Sequence, residues 1–285
     1  MTEKKSIAEK LLNIPEQYIY LVLAVILIIP LVKPFGLPIP ITTETKKFYD
    51  AMEDLKPGDT VFYAFDAGSM TWMEQGLGAT IVFKHLLMKE GVRIVGATIG
   101  AEGPMFWEKT IKELGGIEAY DKEYGKDVVW LGFLAGLETA CASLADNLEG
   151  AVGGVDAYGT SFSNLPLMAE VNEVDDFKIL IVLSWGSTYA NWMNQWQMPY
   201  GIPEYIIPLA GVAAEARPYY EAGQIASMIV GARGSAEYEL LLRMPGRAAA
   251  GMDAQSLGHL YTAVLIIISN IAYFMRPSKK TGGIT

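Results

Sequence analysis

Three acidic residues, Asp66, Glu102 and Glu138, each come soon after a short run of apolar residues that is typical of a buried strand. If these runs are parallel strands of one sheet, their carboxyl ends share an edge, and ligands bind at that edge where the strand order reverses. Three carboxylates on one edge could bind a cationic or polyhydroxylated ligand, hold a divalent cation, or act as acid and base.

A fourth apolar run, Ile179 to Leu183, is followed by the turn Ser184-Trp185-Gly186-Ser187, which would lie on the same edge. The alternative is structural, because acids are common in the first turn of a helix, where the helix dipole favours negative charge. No spacing brings the three acids together, so both interpretations stay open. The residues that we predict to contact a ligand are Asp66, Ser69, Glu102, Glu138, Ser184, Trp185 and Ser187.

The chain offers few residues for other chemistry. Its single cysteine, Cys141, excludes an intrachain disulfide, and with only His85 and His259 a centre of several histidines within one chain is also excluded. The sequence contains neither a phosphate loop with its Lys-Ser/Thr pair nor a glycine-framed nucleophile motif. No metal site or cofactor is evident apart from the divalent cation that the acids could hold, and an enzyme is the less favoured interpretation.

Strand-like and helix-like stretches alternate along the middle of the chain. This alternation predicts a single Rossmann-like α/β domain, doubly wound, with a mainly parallel sheet. A Gly-rich connection, 149–162, interrupts the pattern and is long enough to be a functional loop. The predicted strands are Thr60 to Phe65, Val92 to Ile99, Val128 to Leu134, Ile179 to Leu183 and Tyr205 to Ala210.

The segment after the fourth strand is aromatic and carries no charge until Glu204. On a helix its Trp185, Tyr189, Trp192 and Trp196 would form one face, which could be core, a ligand wall, a partner contact or a membrane contact. We predict that Tyr189, Trp192 and Trp196 form a partner or membrane surface, with packing against the sheet as the alternative.

Two apolar stretches near the chain ends predict transmembrane helices over 18–35 and 257–275. They leave an N-terminal tail, 1–17, an α/β soluble domain, 36–256, and a C-terminal tail, 276–285. A cleaved signal peptide is the alternative for the first stretch, although no small-x-small cleavage site follows it. The Lys and Arg residues near the spans favour cytoplasmic tails and an external domain in the cell membrane.

Two patterns of small or polar residues indicate helix contacts. Asn270 lies within the second apolar stretch, where an amide is best explained by a hydrogen bond to another helix or a partner subunit. Gly223, Ser227 and Gly231 are spaced by four in an uncharged run, which lets a helix approach the sheet or another helix closely.

Charge and composition limit the function classes. From Glu44 to Gln255 there are 29 Asp and Glu against 15 Lys and Arg, a net charge of −14, so nucleic acid should be repelled. We predict a membrane-anchored α/β domain that binds a small ligand or a protein partner, as an accessory subunit beside other membrane-protein subunits or in a homo-oligomer. The alternative is a membrane-bound enzyme that uses the carboxylates of Asp66, Glu102 and Glu138, with or without a divalent cation.

Overall fold

The structure is a computed structural model that describes residues 13–275. Within that range six strands pair in parallel in the order β3-β2-β1-β4-β5-β6, which confirms the predicted α/β fold with a parallel sheet. This is the strand order of a Rossmann sheet, and the order reverses between β1 and β4. The strands are β1 (Thr60–Asp66), β2 (Arg93–Thr98), β3 (Val128–Phe133), β4 (Ile179–Ser184), β5 (Glu204–Pro208) and β6 (Ile225–Met228).

The sixth strand corrects the interpretation of the small-residue run as a helix. Gly223, with a φ of 80°, ends a turn, and Ile225–Met228 then pairs with β5. A strand of only 4 residues shows no clear alternation of apolar and polar residues. The regular spacing of the three small residues has no structural meaning, because Gly223 lies in a turn, Ser227 in a strand and Gly231 at the start of a helix. By contrast β1 and β4 are buried along their whole length, as continuous apolar runs predict.

Helices cover both faces of the sheet. One face packs against α2 (Thr43–Glu53), α3 (Trp72–Met88), α4 (Gly103–Glu113) and α10 (Gly231–Leu241). The other packs against α5 (Glu138–Asp146), α6 (Leu148–Val152), α7 (Thr188–Trp192), a π-helix (Met193–Gln197) and α9 (Ala210–Glu221). The remaining helices are α1 (Glu16–Val32), α8 (Met198–Tyr200), α11 (Arg247–Phe274) and the 3₁₀ turns Glu118–Tyr120, Phe162–Asn164, Pro166–Ala169 and Val174–Asp176.

The aromatic residues after β4 belong to the core and not to a partner or membrane surface. Tyr189, Trp192 and Trp196 are 1%, 0% and 0% exposed, and both tryptophan rings contact Phe62 of the central strand. The Trp196 indole also donates a hydrogen bond of 2.9 Å to the carbonyl of Cys141. Burial against the sheet is the favoured arrangement. The apolar face of a sheet removes far more aromatic surface from water than a single helix could remove at an interface.

The described residues divide into two compact units, the α/β domain Pro38–Ala248 and a second unit of 13–37 with 249–275. Only α11, with 28 residues, is long and apolar enough among the described helices to cross a membrane. It starts ten residues before the predicted span, and α1 is apolar but shorter, with 17 residues. The predicted C-terminal tail and residues 1–12 of the N-terminal tail lie outside the described residues.

In the second unit α1 and α11 lie side by side and run in opposite directions. Asp253 on α11 accepts hydrogen bonds from three consecutive backbone amides beyond α1, those of Phe35, Gly36 and Leu37, at 2.7, 2.9 and 2.9 Å. Further along α11, the Tyr261 hydroxyl donates to the carbonyl of Ile19, near the start of α1, at 2.9 Å. The carboxylate therefore fixes the turn by which the chain leaves α1.

Candidate functional site

Asp66 ends β1 opposite Ser184 of β4, at the point where the strand order reverses. It is 0% exposed, and its carboxylate accepts hydrogen bonds from the Thr98 hydroxyl (3.0 Å), the Ile99 amide (2.9 Å) and the Trp192 indole (2.7 Å). Burial raises the pKa of Asp66 to about 6, although the three donors oppose that rise. Asp66 thus lies beneath the edge and joins three elements of its own chain, which corrects its predicted contact with a ligand.

The two ends of the turn after β4 have different surroundings. Ser184 is buried, and its hydroxyl donates to the carbonyl of Gly186 (3.0 Å) while accepting from the amide of Tyr189 (3.0 Å), so it shapes the start of α7. Trp185 is 42% exposed, and a Cβ placed on Gly100 would lie 3.2 Å from its indole nitrogen. Of these two residues, Trp185 is the one that reaches the solvent beside the switch point.

Ser69 and Glu102 meet across the ends of β1 and β2. The Glu102 carboxylate accepts hydrogen bonds from the Ser69 hydroxyl at 2.6 Å and from the Ser69 backbone amide. These bonds lower the pKa of Glu102, so the exposed carboxylate stays ionised. Ser187 makes a comparable contact on the other side, where its hydroxyl donates to Glu215 at 2.7 Å.

Glu138 begins α5 and binds a different set of groups. Its carboxylate accepts hydrogen bonds from the side-chain amides of Asn194 (3.2 Å) and Gln195 (2.9 Å). The uncharged polar residues of the π-helix thus bind Glu138. Within residues 13–275 no group of three or more His, Cys, Asp or Glu side chains is arranged to hold a metal ion. The three predicted acids therefore bind separate partners, and of the three only Glu138 lies in the first turn of a helix, as the helix-dipole interpretation expects.

Asn270 lies in the second unit, on α11. Its amide nitrogen donates to the carbonyl of Ile266 in the same helix at 2.9 Å, and its side chain is exposed. The bond that we predicted between helices is replaced by this local one, and the side chain of Asn270 stays exposed.

Six exposed apolar residues, which we call the apolar rim, lie at or shortly after the carboxyl ends of four adjacent strands. Met70 and Met73 are 98% and 78% exposed, and the others are between 42% and 55% exposed. Sequence reasoning missed all but Trp185, although methionine and leucine directly after a strand, where polar turn residues are usual, are a readable signal. The apolar rim consists of Met70, Met73, Met105, Phe133, Leu137 and Trp185.

A cavity of about 400 Å³ opens beside the end of β3, between α5, α6 and the predicted functional loop 149–162. Asp156 holds that loop, since its carboxylate accepts from the Tyr124 hydroxyl (2.7 Å) and from the amides of Tyr158 (2.9 Å) and Thr160 (2.7 Å). Most of the lining residues are apolar, but the surface that faces the cavity is mainly polar, so its size and character suit a small polar ligand. Its lining is Leu131, Phe133, Leu134, Ala135, Thr139, Ala140, Ser143, Ala151, Val152, Val155 and Asp156.

Leu137 has a strained backbone, with φ 50° and ψ −115°, a region that favours glycine. Its side chain is 51% exposed, so core packing does not compensate for the strain. Leu137→Gly is expected to raise the free energy of unfolding by about 1 kcal/mol, because relief of strain exceeds the entropy that glycine adds to the unfolded chain. Denaturant unfolding of the variant checks this. Leu137→Ala keeps a Cβ and is the control, and a glycine variant less stable than the alanine variant contradicts the prediction.

Glu204 is a further acid that lies outside the predicted set. It begins β5, is 0% exposed, and neither carboxyl oxygen has a hydrogen-bond partner among the described residues. Burial raises the pKa of Glu204 well above its ordinary value. The folded domain therefore holds this side chain as a neutral acid over a wide range of pH.

Comparison of the chain with protein-family models and with curated proteins gives no match.

Proposed function

We propose that this chain is a membrane-anchored α/β domain that binds a small ligand or a protein partner at the carboxyl ends of its strands, as an accessory subunit of a membrane complex. The observation that carries the proposal is the apolar rim. Six large apolar side chains exposed at the ends of four neighbouring strands cost solvation free energy unless something covers them. The rim also surrounds the switch point, where Rossmann sheets bind their ligands.

The membrane part of the proposal rests on α1 and α11. Both are apolar, they pack in antiparallel directions, and most of their large apolar side chains are exposed within the unit. The apolar sequence continues beyond the end of the shorter helix at Val32, in the non-helical residues 35–41, so we propose two spans. Cytoplasmic tails and an external domain remain the proposed orientation, on the positions of Lys and Arg near the spans.

The contacts of the acids support binding in preference to acid–base catalysis. A general acid or base must reach the substrate, whereas Asp66 is enclosed, Glu102 is hydrogen-bonded to the turn at Ser69 and Glu138 to the π-helix. Three exposed methionines, in contrast, give the rim flexible and polarisable contacts that adapt to a bound surface.

Photo-cross-linking from the rim tests the proposal. In the full-length protein, benzoylphenylalanine in place of Met73 is expected to give a discrete adduct on irradiation of the membranes in which the protein is naturally made. The matched control is the same replacement at Met88, which ends the same helix and is 45% exposed. Mass spectrometry identifies the adduct as a small molecule or a polypeptide. Equal adducts from both positions, or none from Met73, contradict a binding function at the rim.

A further inference from the structure

Two positions at the rim that commonly bind anions in Rossmann folds are occupied by glutamates of the same chain. Glu102 accepts from the amide and hydroxyl of Ser69, in the turn that leads into α3. Glu74 accepts from the amide of Ala210, the first residue of α9, at 2.9 Å. Free amides at such places normally attract phosphates, so their occupation by carboxylates disfavours a nucleotide or another anionic ligand.

The charge around the rim has the same sign. The loops and first helical turns after β1 to β5, residues 66–75, 99–109, 133–139, 184–189 and 208–215, hold one base, Lys109. That base lies over the ring of Trp72, 5.4 Å from its centroid. The acids, apart from the buried Asp66, are Glu74, Glu102, Glu108, Glu138 and Glu215. A ligand that covers the rim therefore lies near five carboxylates and one ammonium group, so its own charge must be compatible with a net negative surface.

We propose that the rim binds a basic amphipathic segment of a partner protein, an inference that rests on the proposed binding function and specifies its partner. The apolar face of the segment contacts the methionines, Phe133, Leu137 and Trp185, while its Lys and Arg side chains meet the glutamates. Four adjacent strands span about 14 Å, the length of about ten helical residues.

The probe is a fluorescent amphipathic peptide of Leu and Lys, about 18 residues long, measured by anisotropy against the full-length protein in nanodiscs of uncharged lipid. Empty nanodiscs give the background. We expect saturable binding that weakens as salt concentration rises, because exposed charges are screened. A peptide with Glu in place of Lys, and a scrambled Leu and Lys peptide without an apolar face, are expected to bind at least about tenfold more weakly.

Two double variants locate the bound peptide. Met73→Ala with Met105→Ala is expected to weaken binding about tenfold, and Met88→Ala is the control that leaves it unchanged. Glu102→Gln with Glu138→Gln is expected to weaken binding and to reduce its salt dependence. Its control, Glu90→Gln with Glu118→Gln, removes the same charge from two exposed residues at the opposite edge of the sheet.

The outcomes separate this inference from the function on which it rests. Equal binding by all variants shows attraction to the acidic domain at large and overturns the inference, as does equal binding of the acidic peptide. If the basic peptide does not bind while Met73 still gives an adduct, the rim is a binding surface and the partner chemistry is wrong. If both experiments fail, the binding function fails as well.

Discussion

Replacement of Glu204 by methionine is expected to raise the free energy of unfolding of the α/β domain by about 1–3 kcal/mol at pH 7. The carboxyl group is 0% exposed and has no hydrogen-bond partner among the residues that the structure describes, so its burial is not compensated. Methionine has a similar length and no polar oxygen, and it adapts to the surrounding apolar cluster, which includes Ile206 and Cys141.

The same residue makes stability depend on pH. The unfolded carboxyl ionises near the ordinary pKa of glutamate, whereas burial raises the folded pKa well above it. The folded state thus binds more protons between these two values, and stability is full below the unfolded pKa and is lost as the pH rises towards the folded pKa. Each pH unit within that window costs about 1.4 kcal/mol, a slope that Glu204→Gln is expected to remove.

Denaturant unfolding of the full-length protein in mild detergent, followed by tryptophan fluorescence, measures both effects. Asp66, whose pKa is raised to about 6, contributes a slope of the same sign, but only between its unfolded pKa near 3.8 and pH 6. His85, whose pKa is lowered by burial, contributes a slope of the opposite sign up to its ordinary pKa of 6.5. Measurements at pH 7.5 to 8.5 lie above the titration of both residues and therefore isolate Glu204. The glutamine variant keeps a buried polar group and is the control. A methionine variant less stable than the wild type shows that the carboxyl is bonded, and contradicts the prediction.

Sequence pattern predicted the fold where strands are continuous apolar runs. Ile179–Ser184 is buried at every position, and such a run between two polar turns has few alternatives to a central parallel strand. Ile225–Met228 escaped prediction because Ala and Ser favour no one structure and only its pairing with β5 makes it a strand. The burial of Trp192 could not be predicted for a similar reason. Its tertiary contacts, and not its spacing in the sequence, place it in the core.

The sequence predicted which residues lie at the carboxyl edge of the sheet but not which groups they contact. Strand ends in a parallel sheet meet at one edge by topology, so the position of Glu102 and Trp185 could be inferred from the sequence. The partners of the carboxylates could not, because the approach of Ser69, in a turn, and of Ala210, at the start of α9, depends on the packing of whole helices. Exposure of Met70 was missed because apolar residues are usually assigned to the core, although an apolar residue in the turn after a strand is a signal of exposure.

Replacement of Asp66 by alanine is expected to lower the free energy of unfolding by about 3–5 kcal/mol. The change removes the acceptor of three donors, those of Thr98, Ile99 and Trp192. Each donor then stays buried without a partner, at a cost of about 1–3 kcal/mol that partial relaxation reduces. Asp66→Asn keeps one acceptor oxygen and turns an amide group towards the remaining donors, so we expect a smaller loss of about 2 kcal/mol.

A double-mutant cycle separates a structural carboxylate from one that serves a ligand. Trp192→Phe removes one donor, so the loss in the double variant with Asp66→Asn is expected to be smaller than the sum of the single losses by about 1 kcal/mol. The measurement is denaturant unfolding at pH 7, above the folded pKa of Asp66. If Asp66 were a ligand contact, Asp66→Asn would leave stability unchanged and weaken binding at the rim. The buried geometry predicts the reverse, because the carboxylate reaches only its own chain and the rim above it is formed by other residues.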